Sequence, residues 1–218
     1  MSSRPGKTAA VLAATTAVCI ALATGVAELT REPVAQAART AELERMREIL
    51  PPDLYDNDPL ADVIQISAPI GLGSAEPLAV YRAYLDGEPS ALVLQAVATD
   101  GYSGPIDLLV SVTADGVVLG VRVTRHQETP GLGDGIDTRI SPWILGFNQK
   151  SLSDPPAESW AVRRDGGEFD QFTAATITPR AVVKAVRRAL EYVNEHSTQL
   201  FAPAADSAAE NNQRKQHE

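Results

Sequence analysis

Residues 9–27, AAVLAATTAVCIALATGVA, form the first apolar block and carry no charge; Arg4 and Lys7 precede them, and Glu28 and Arg31 follow. A helix of that length is close to the ~20 residues needed to cross a bilayer, so a transmembrane helix is predicted. Ala21 and Ala23 could also form the small-residue site of a cleaved export signal, the lesser alternative. Either way the remainder of the chain is expected across the cytoplasmic membrane. Beyond the block, Val34, Ala38, Leu43, Met46 and Leu50 recur at helical spacing until Pro51-Pro52 stops them, which predicts a connecting helix over 30–52. The period then changes. PLAVYRAYL and PSALVLQAV flank Asp86-Gly87, and IDLLVSVTA and VVLGVRVTR flank Asp115-Gly116. Two Asp-Gly hairpins, and so an antiparallel sheet of about four strands, are predicted. A stretch rich in Gly and Pro leads to a last helix, in which Val182, Val183, Val186, Leu190 and Val193 form one apolar stripe.

The expected fold class is therefore α+β: an N-terminal transmembrane helix followed by one domain with an antiparallel sheet flanked by helices. Residues 1–29 are the cytoplasmic N-terminus and span, 30–52 the connecting helix, 53–201 the exported domain and 202–218 a polar tail expected to be disordered. Composition narrows the function. With 218 residues and a net charge of −9, the chain holds one sizeable core and no basic, aromatic-interleaved run, so no nucleic-acid partner is expected. Cys19 is the only cysteine, which excludes an internal disulfide and a cysteine-ligated cluster. Of the three histidines, His126 lies in the sheet region, His196 at a helix end and His217 in the tail. No metal site is predicted, and a redox role would need an organic cofactor.

The segment FTAATITPRA, 172–181, places Thr173, Thr176 and Thr178 just before the last helix. Thr178 ahead of Pro179 suits an N-cap followed by the first helical position, with the other two threonines as turn residues. Alternatively, the free N–H groups and positive dipole end of the helix attract a phosphoryl group, and Thr176 carries it. The run ETPGLG, 128–133, is by itself a tight turn closing the sheet. Trp143 and Phe147 are expected in the core, and Tyr102 is undecided between core and ligand.

Together these residues resemble a known family. DQFTAATITPRAVVKAV (170–186) is similar to the flavinylation segment of the membrane FMN-binding proteins, whose core pattern is Asp-x-x-Ser/Thr-Gly-Ala-Thr. TRHQETPGLGDGID (124–137) resembles the family's Glu-Thr-Pro-Gly-Leu-Gly loop, and GYSGPIDLLV (101–110) its glycine-rich approach to the flavin. Within it the resemblance is to the electron-carrying subunits of Rnf/Rsx ion-translocating complexes, and more distantly to those of the sodium-translocating NADH:quinone reductase.

The resemblance implies covalent FMN joined through its phosphate to Thr176, with Thr173 and Asp170 at recognition positions. A separate flavin transferase using FAD and magnesium would make the bond. Glu128, Thr129, Gly131, Leu132 and Gly133 would lie against the flavin, the glycine amides hydrogen-bonding its carbonyl edge, Leu132 covering the ring and Glu128 orienting the loop. It further implies an inner-membrane, single-pass subunit with its flavin domain on the periplasmic side. Its partners would be the other membrane and peripheral subunits of an Rnf/Rsx-type complex, which couples electron flow between ferredoxin and NAD to ion transport; no independent catalytic site is implied. The family usually has glycine where this sequence has Ala174. A stand-alone exported flavoprotein of another electron-transfer chain would share the flavin motifs, and a non-redox anchored binding module would result if Ala174 marks an unmodified motif.

Overall fold

The computed structural model describes residues 5–202, so the predicted polar tail lies outside the described residues except for Ala202. The chain divides into two units, 1–45 and 46–218. In the first, helix α1 (Pro5–Arg47) runs without a break through both predicted helical stretches. Residues Ala9–Glu32 are long and apolar enough to cross a membrane, by a test that an export signal also passes. Val11, Leu12, Val18, Ile20, Leu22 and Val26 are all more than half exposed. An apolar surface of this kind fits a lipid environment. Thr15 and Thr24 return their hydroxyl protons to carbonyls one turn back, at Val11 and Ile20, so neither is an unmet polar group in an apolar medium.

In the second unit five antiparallel strands follow one another in sequence order: β1 (Val63–Ala68), β2 (Ser74–Leu85), β3 (Glu88–Ala98), β4 (Ile106–Thr113) and β5 (Val118–Arg125). Both Asp-Gly hairpins form. Asp86 and Gly87 have φ of 55° and 80°, the left-handed pair that a two-residue hairpin turn requires. At the second hairpin only Gly116 is left-handed, and its N–H bonds to the Thr113 carbonyl. The count of four strands is corrected to five: β1 pairs with β2 from Val63–Tyr81 to Ala68–Ser74. This edge strand is short and half-buried, and it joins β2 through PIGLG, with no Asp-Gly signal.

Each face of the sheet has its own cover. Leu108, Val110 and Val112 of β4 point to the face covered by α2 (Ile177–Leu200), whose buried stripe includes Val182, Val183, Val186, Leu190 and Val193. The far end of α2 is clasped by β2: buried Arg82, ion-paired with Asp62, donates to the Ala202 carbonyl, and the Tyr84 hydroxyl donates to that of Phe201 at 3.0 Å. Burial raises the Tyr84 pKa above the usual phenol value.

On the opposite face, Met46, Ile49 and Leu50 pack on Ala79, Tyr81, Ala83, Ala91, Val93 and Leu109, and Arg122 ties this strap down through Glu48 at 3.0 Å. Ser111, beside Leu109 on that face and fully buried, has no partner for its hydroxyl. Replacing an unmet buried hydroxyl by a methyl group removes a desolvation cost. Ser111→Ala should therefore be neutral to about 1 kcal/mol stabilising, seen as an unchanged or raised melting temperature. A fall of several degrees would refute this.

Candidate functional site

Past the end of β5 the chain turns so that Glu128 points inward and is only 4% exposed. Its Oε1 accepts the Ser103 N–H at 3.0 Å, and its Oε2 accepts the Thr178 hydroxyl proton. One carboxylate thus gathers the three segments picked out in the sequence: GYSG (101–104), ETPGLG (128–133) and the start of α2. Gly133 is required by this knot, because a Cβ there would lie 2.8 Å from Glu128 Oε2 and 2.9 Å from Thr178 Oγ1. His126 serves the same turn, its Nδ1 accepting the Glu128 N–H at 3.2 Å.

The loop's own amides are spent internally. Leu132 and Gly133 both donate to the Thr129 carbonyl at 3.1 Å, and Gly131, with φ of 76°, donates to Asp134 Oδ1 at 2.9 Å. The expectation that the Gly131 and Gly133 amides face a flavin edge therefore meets amides already bonded. What the loop turns outward is the Leu132 side chain, 48% exposed, with Thr129 beside it.

The threonine segment is arranged differently from the simplest local reading. Thr176, not Thr178, occupies the cap position of α2: its carbonyl accepts the Arg180 N–H at 3.2 Å, and its side chain makes no capping bond. Thr178 and Pro179 are the second and third helical residues. Proline is tolerated there because that N–H has no intrahelical acceptor in any case. Thr178 is buried and committed to Glu128, whereas Thr176 is half-exposed and Thr173 exposed. Upstream the segment is pinned by aromatic packing. The Phe172 ring meets Trp143 edge-on at 5.3 Å, Trp143 Nε1 donates to the Asp170 carbonyl at 2.8 Å, and the exposed Asp170 carboxylate pairs with Arg163 at 2.7 Å. Phe147 is fully buried and stacks on Phe169 at 4.7 Å, so it is core as expected, with Trp143 packed at the core's edge.

Two ion pairs hold the first turns of α2, Asp165 with Arg180 and Asp100 with Lys184, each at 2.5 Å. Hydrogen bonds from Arg180 and from Lys184 hold the Asp165 and Asp100 carboxyls below the usual range. Lowered folded-state values mean that this support is present above an unfolded pKa of about 3.9 and is lost as pH falls through the folded values. Both pairs are solvent-screened, so their contribution is small.

Ala174 has φ of 66°, a left-handed angle at the turn where the Ala175 N–H meets the Phe172 carbonyl at 3.2 Å. An alanine side chain disfavours that angle by about 1 kcal/mol, and glycine does not. Ala174→Gly should relieve this strain, offset in part by the greater freedom of glycine in the unfolded chain. Stability should rise by up to about 1 kcal/mol, read as a raised melting temperature. A marked fall in melting temperature would exclude glycine as the better residue.

These residues suit a flavin nucleotide. An uncapped helix N-terminus at Thr176 favours a phosphate. Three exposed apolar side chains stand on the three segments joined at Glu128: Tyr102 at 69%, Leu132 at 48% and Ile177 at 46%. They provide surface for an aromatic ring.

Comparison with known proteins agrees. The FMN-binding domain family matches residues 101–191, spanning all three segments. The G subunit of the ion-translocating oxidoreductase complex of Pseudomonas aeruginosa is 51% identical over 186 residues, covering 85% of this chain and 87% of that protein. The protein of the same name from Vibrio cholerae is 49% identical over 172 residues, covering 79% and 82%. The crystal structure of Shewanella oneidensis NqrC aligns with a TM-score of 0.47 at 24% identity, covering 70% of this chain and 74% of that one.

Proposed function

Because this chain belongs to the family formed by the G subunits of ion-translocating oxidoreductase complexes, we propose that it is the electron-carrying subunit of an Rnf/Rsx-type complex and holds FMN covalently at Thr176. In this reading the complex couples electron transfer between ferredoxin and NAD to ion transport, in company with its other membrane and peripheral subunits. Ala9–Glu32 anchors the chain in the inner membrane as a single span, and the sheet domain works on the periplasmic side. Bound FMN supplies one- and two-electron redox chemistry.

The observation that carries the reading is the division of labour among the three threonines. Thr176 alone combines partial exposure, a place at the helix N-terminus and a hydroxyl free of capping. In maturation, Thr176 Oγ displaces AMP at the FMN phosphorus of FAD on a separate flavin transferase. The P–O–P bond breaks, a P–O–Cβ linkage forms and the hydroxyl proton leaves to a base, with no change of oxidation state. The N-terminal N–H groups of α2 would stabilise the phosphodiester charge at Thr176, and the Glu128–Thr178 hydrogen bond holds this end of the helix in place. Tyr102, Leu132 and Ile177 would shield the ring from water, and Thr173 and Asp170, both exposed, would be open to the transferase. Covalent attachment suits an exported site, where free FMN would be lost by diffusion.

The intact mass of the protein from its native membranes tests this directly. The expected value is the full chain plus one FMN less one water, with the added mass mapped to Thr176. An unmodified mass, or flavin mapped to Thr173, would overturn the attachment. A mature N-terminus near Thr24 would replace the anchor by a cleaved signal.

A further inference from the structure

Thr173 and Ala174 are exposed on a turn whose two ends are fixed in the domain. Upstream, Phe169 is buried and stacks on Phe147 at 4.7 Å, and its carbonyl accepts the Arg163 N–H at 2.7 Å. Downstream, Thr178 is buried on Glu128. Between them the Ala175 N–H meets the Phe172 carbonyl at 3.2 Å, closing a turn with Ala174 at its third position and φ of 66°. A left-handed third residue is the requirement that glycine or asparagine meets in a type II turn. Alanine meets it only at a cost, so a chain without further support keeps this turn open most of the time.

The support comes from Trp143. Its indole Nε1–H donates to the Asp170 carbonyl at 2.8 Å, and its ring meets that of Phe172 edge-on at 5.3 Å. The tryptophan is itself tied down. Ser141 Oγ accepts the Trp143 N–H at 3.1 Å and donates to the Gly135 carbonyl at 2.8 Å. Gly135 lies against the same Phe172 ring, where a Cβ would fall 3.0 Å from Phe172 Cζ. Gln171 adds a further tie, its Oε1 accepting the Arg164 N–H at 3.2 Å. All of these contacts hold the segment from the domain's side and leave Thr173 exposed and Thr176 half-exposed.

We propose that Trp143 is a positioning residue for flavin attachment: through Phe172 and Asp170 it holds the Ala174 turn closed, so that the transferase's substrate is the folded domain rather than the extended segment. This rests on the attachment at Thr176 given above. The chemistry is unchanged: Thr176 Oγ bonds to the FMN phosphorus, the P–O–P bond of FAD breaks, AMP leaves and the hydroxyl proton goes to a base. What Trp143 sets is the fraction of chains whose turn is closed before the transferase arrives. A partner that binds only the closed form has its apparent affinity reduced by that fraction. Glycine at 174 takes the left-handed angle unaided, so the need for Trp143 follows from alanine.

The test gives the purified full chain, in mild detergent, to the transferase with FAD and magnesium and follows flavin fluorescence of the denatured band over time. Trp143→Phe keeps an aromatic ring beside Phe172 and deletes the donor to Asp170. It should raise the KM for the chain about three- to tenfold, the scale of one net hydrogen bond, with kcat and final loading unchanged. Phe172→Leu, which removes the ring that Trp143 meets, should act the same way. Adding Ala174→Gly to either variant should return KM to within about twofold of wild type, and Ale-to-Gly exchange at 174 alone should move it less than that. Val193→Ala, which loosens α2 away from the turn, should leave KM as it is. Variants loaded as fast as wild type or faster, no rescue by glycine, or an equal slowing by Val193→Ala would each overturn the proposal. Flavin missing from the wild-type chain, or mapped to a residue other than Thr176, would overturn the attachment and this role together.

Discussion

Thr176→Val should yield a folded, membrane-bound chain with no covalent flavin. Valine keeps the β-branched shape and removes the one hydroxyl to which the phosphodiester is assigned. The helix loses nothing by the change, because the Thr176 side chain makes no capping bond and its carbonyl still accepts from Arg180. Stability should stay within about 0.5 kcal/mol of wild type, while flavin fluorescence in the denatured band falls to background. The neighbouring threonines should behave otherwise. Thr178→Val removes the proton that Oε2 of buried Glu128 accepts, which costs about 1–3 kcal/mol for an unmet buried group, yet leaves some covalent flavin. Thr173→Val, on an exposed turn, should slow loading without affecting stability. Co-expression with the transferase, ultraviolet imaging of denaturing gels and peptide mass mapping separate these outcomes. A fluorescent Thr176→Val band, with flavin on Thr173 or Thr178, would refute the assignment.

The Thr178 case shows where local reading of a sequence stops. Thr-Pro at 178–179 satisfies the rules for a cap and a first helical residue, but Thr176 is an equally good cap by residue type, with Pro179 then at the third helical position. The choice is made by Glu128, 50 residues away in sequence, whose carboxylate takes the Thr178 hydroxyl. Nothing local marks that glutamate as buried, since glutamates are expected in solvent. The hairpins were legible because Asp-Gly forces a backbone shape, and the α2 stripe because its period is helical. β1 was hidden because an edge strand with half-buried side chains has neither signal. Met46 and Leu50 were visible as apolar positions, but Ile49 beside them and their partner, the second face of the sheet, were not. The departure from glycine at Ala174 was plain in the sequence, whereas its left-handed angle belongs to the fold.

Glu128→Ala should be the most destabilising single change in the site. It leaves the Ser103 N–H and the Thr178 hydroxyl without their acceptor and opens a void beneath Gly133. The orphaned Thr178 hydroxyl, which is buried, costs about 1–3 kcal/mol and the part-buried Ser103 N–H less, so together with the void the loss should be roughly 2–5 kcal/mol, a large share of a typical folding free energy. For a domain of this size that corresponds to a melting temperature lower by about 5–20 °C. Glu128→Gln should be mild, within about 1 kcal/mol, because the amide oxygen can accept from Ser103 while its NH2 donates to the Thr178 oxygen. Flavin loading distinguishes a positioning role from general destabilisation. Glu128→Ala should load less flavin than a control of equal stability loss placed away from the site, such as Val193→Ala in the last turns of α2. In Glu128→Gln, Thr178→Val should cost clearly less than in wild type, because the acceptor charge that its hydroxyl serves has gone. An unchanged melting temperature in Glu128→Ala, or loading equal to that of the matched control, would show that this carboxylate does not hold the three segments in register for the flavin.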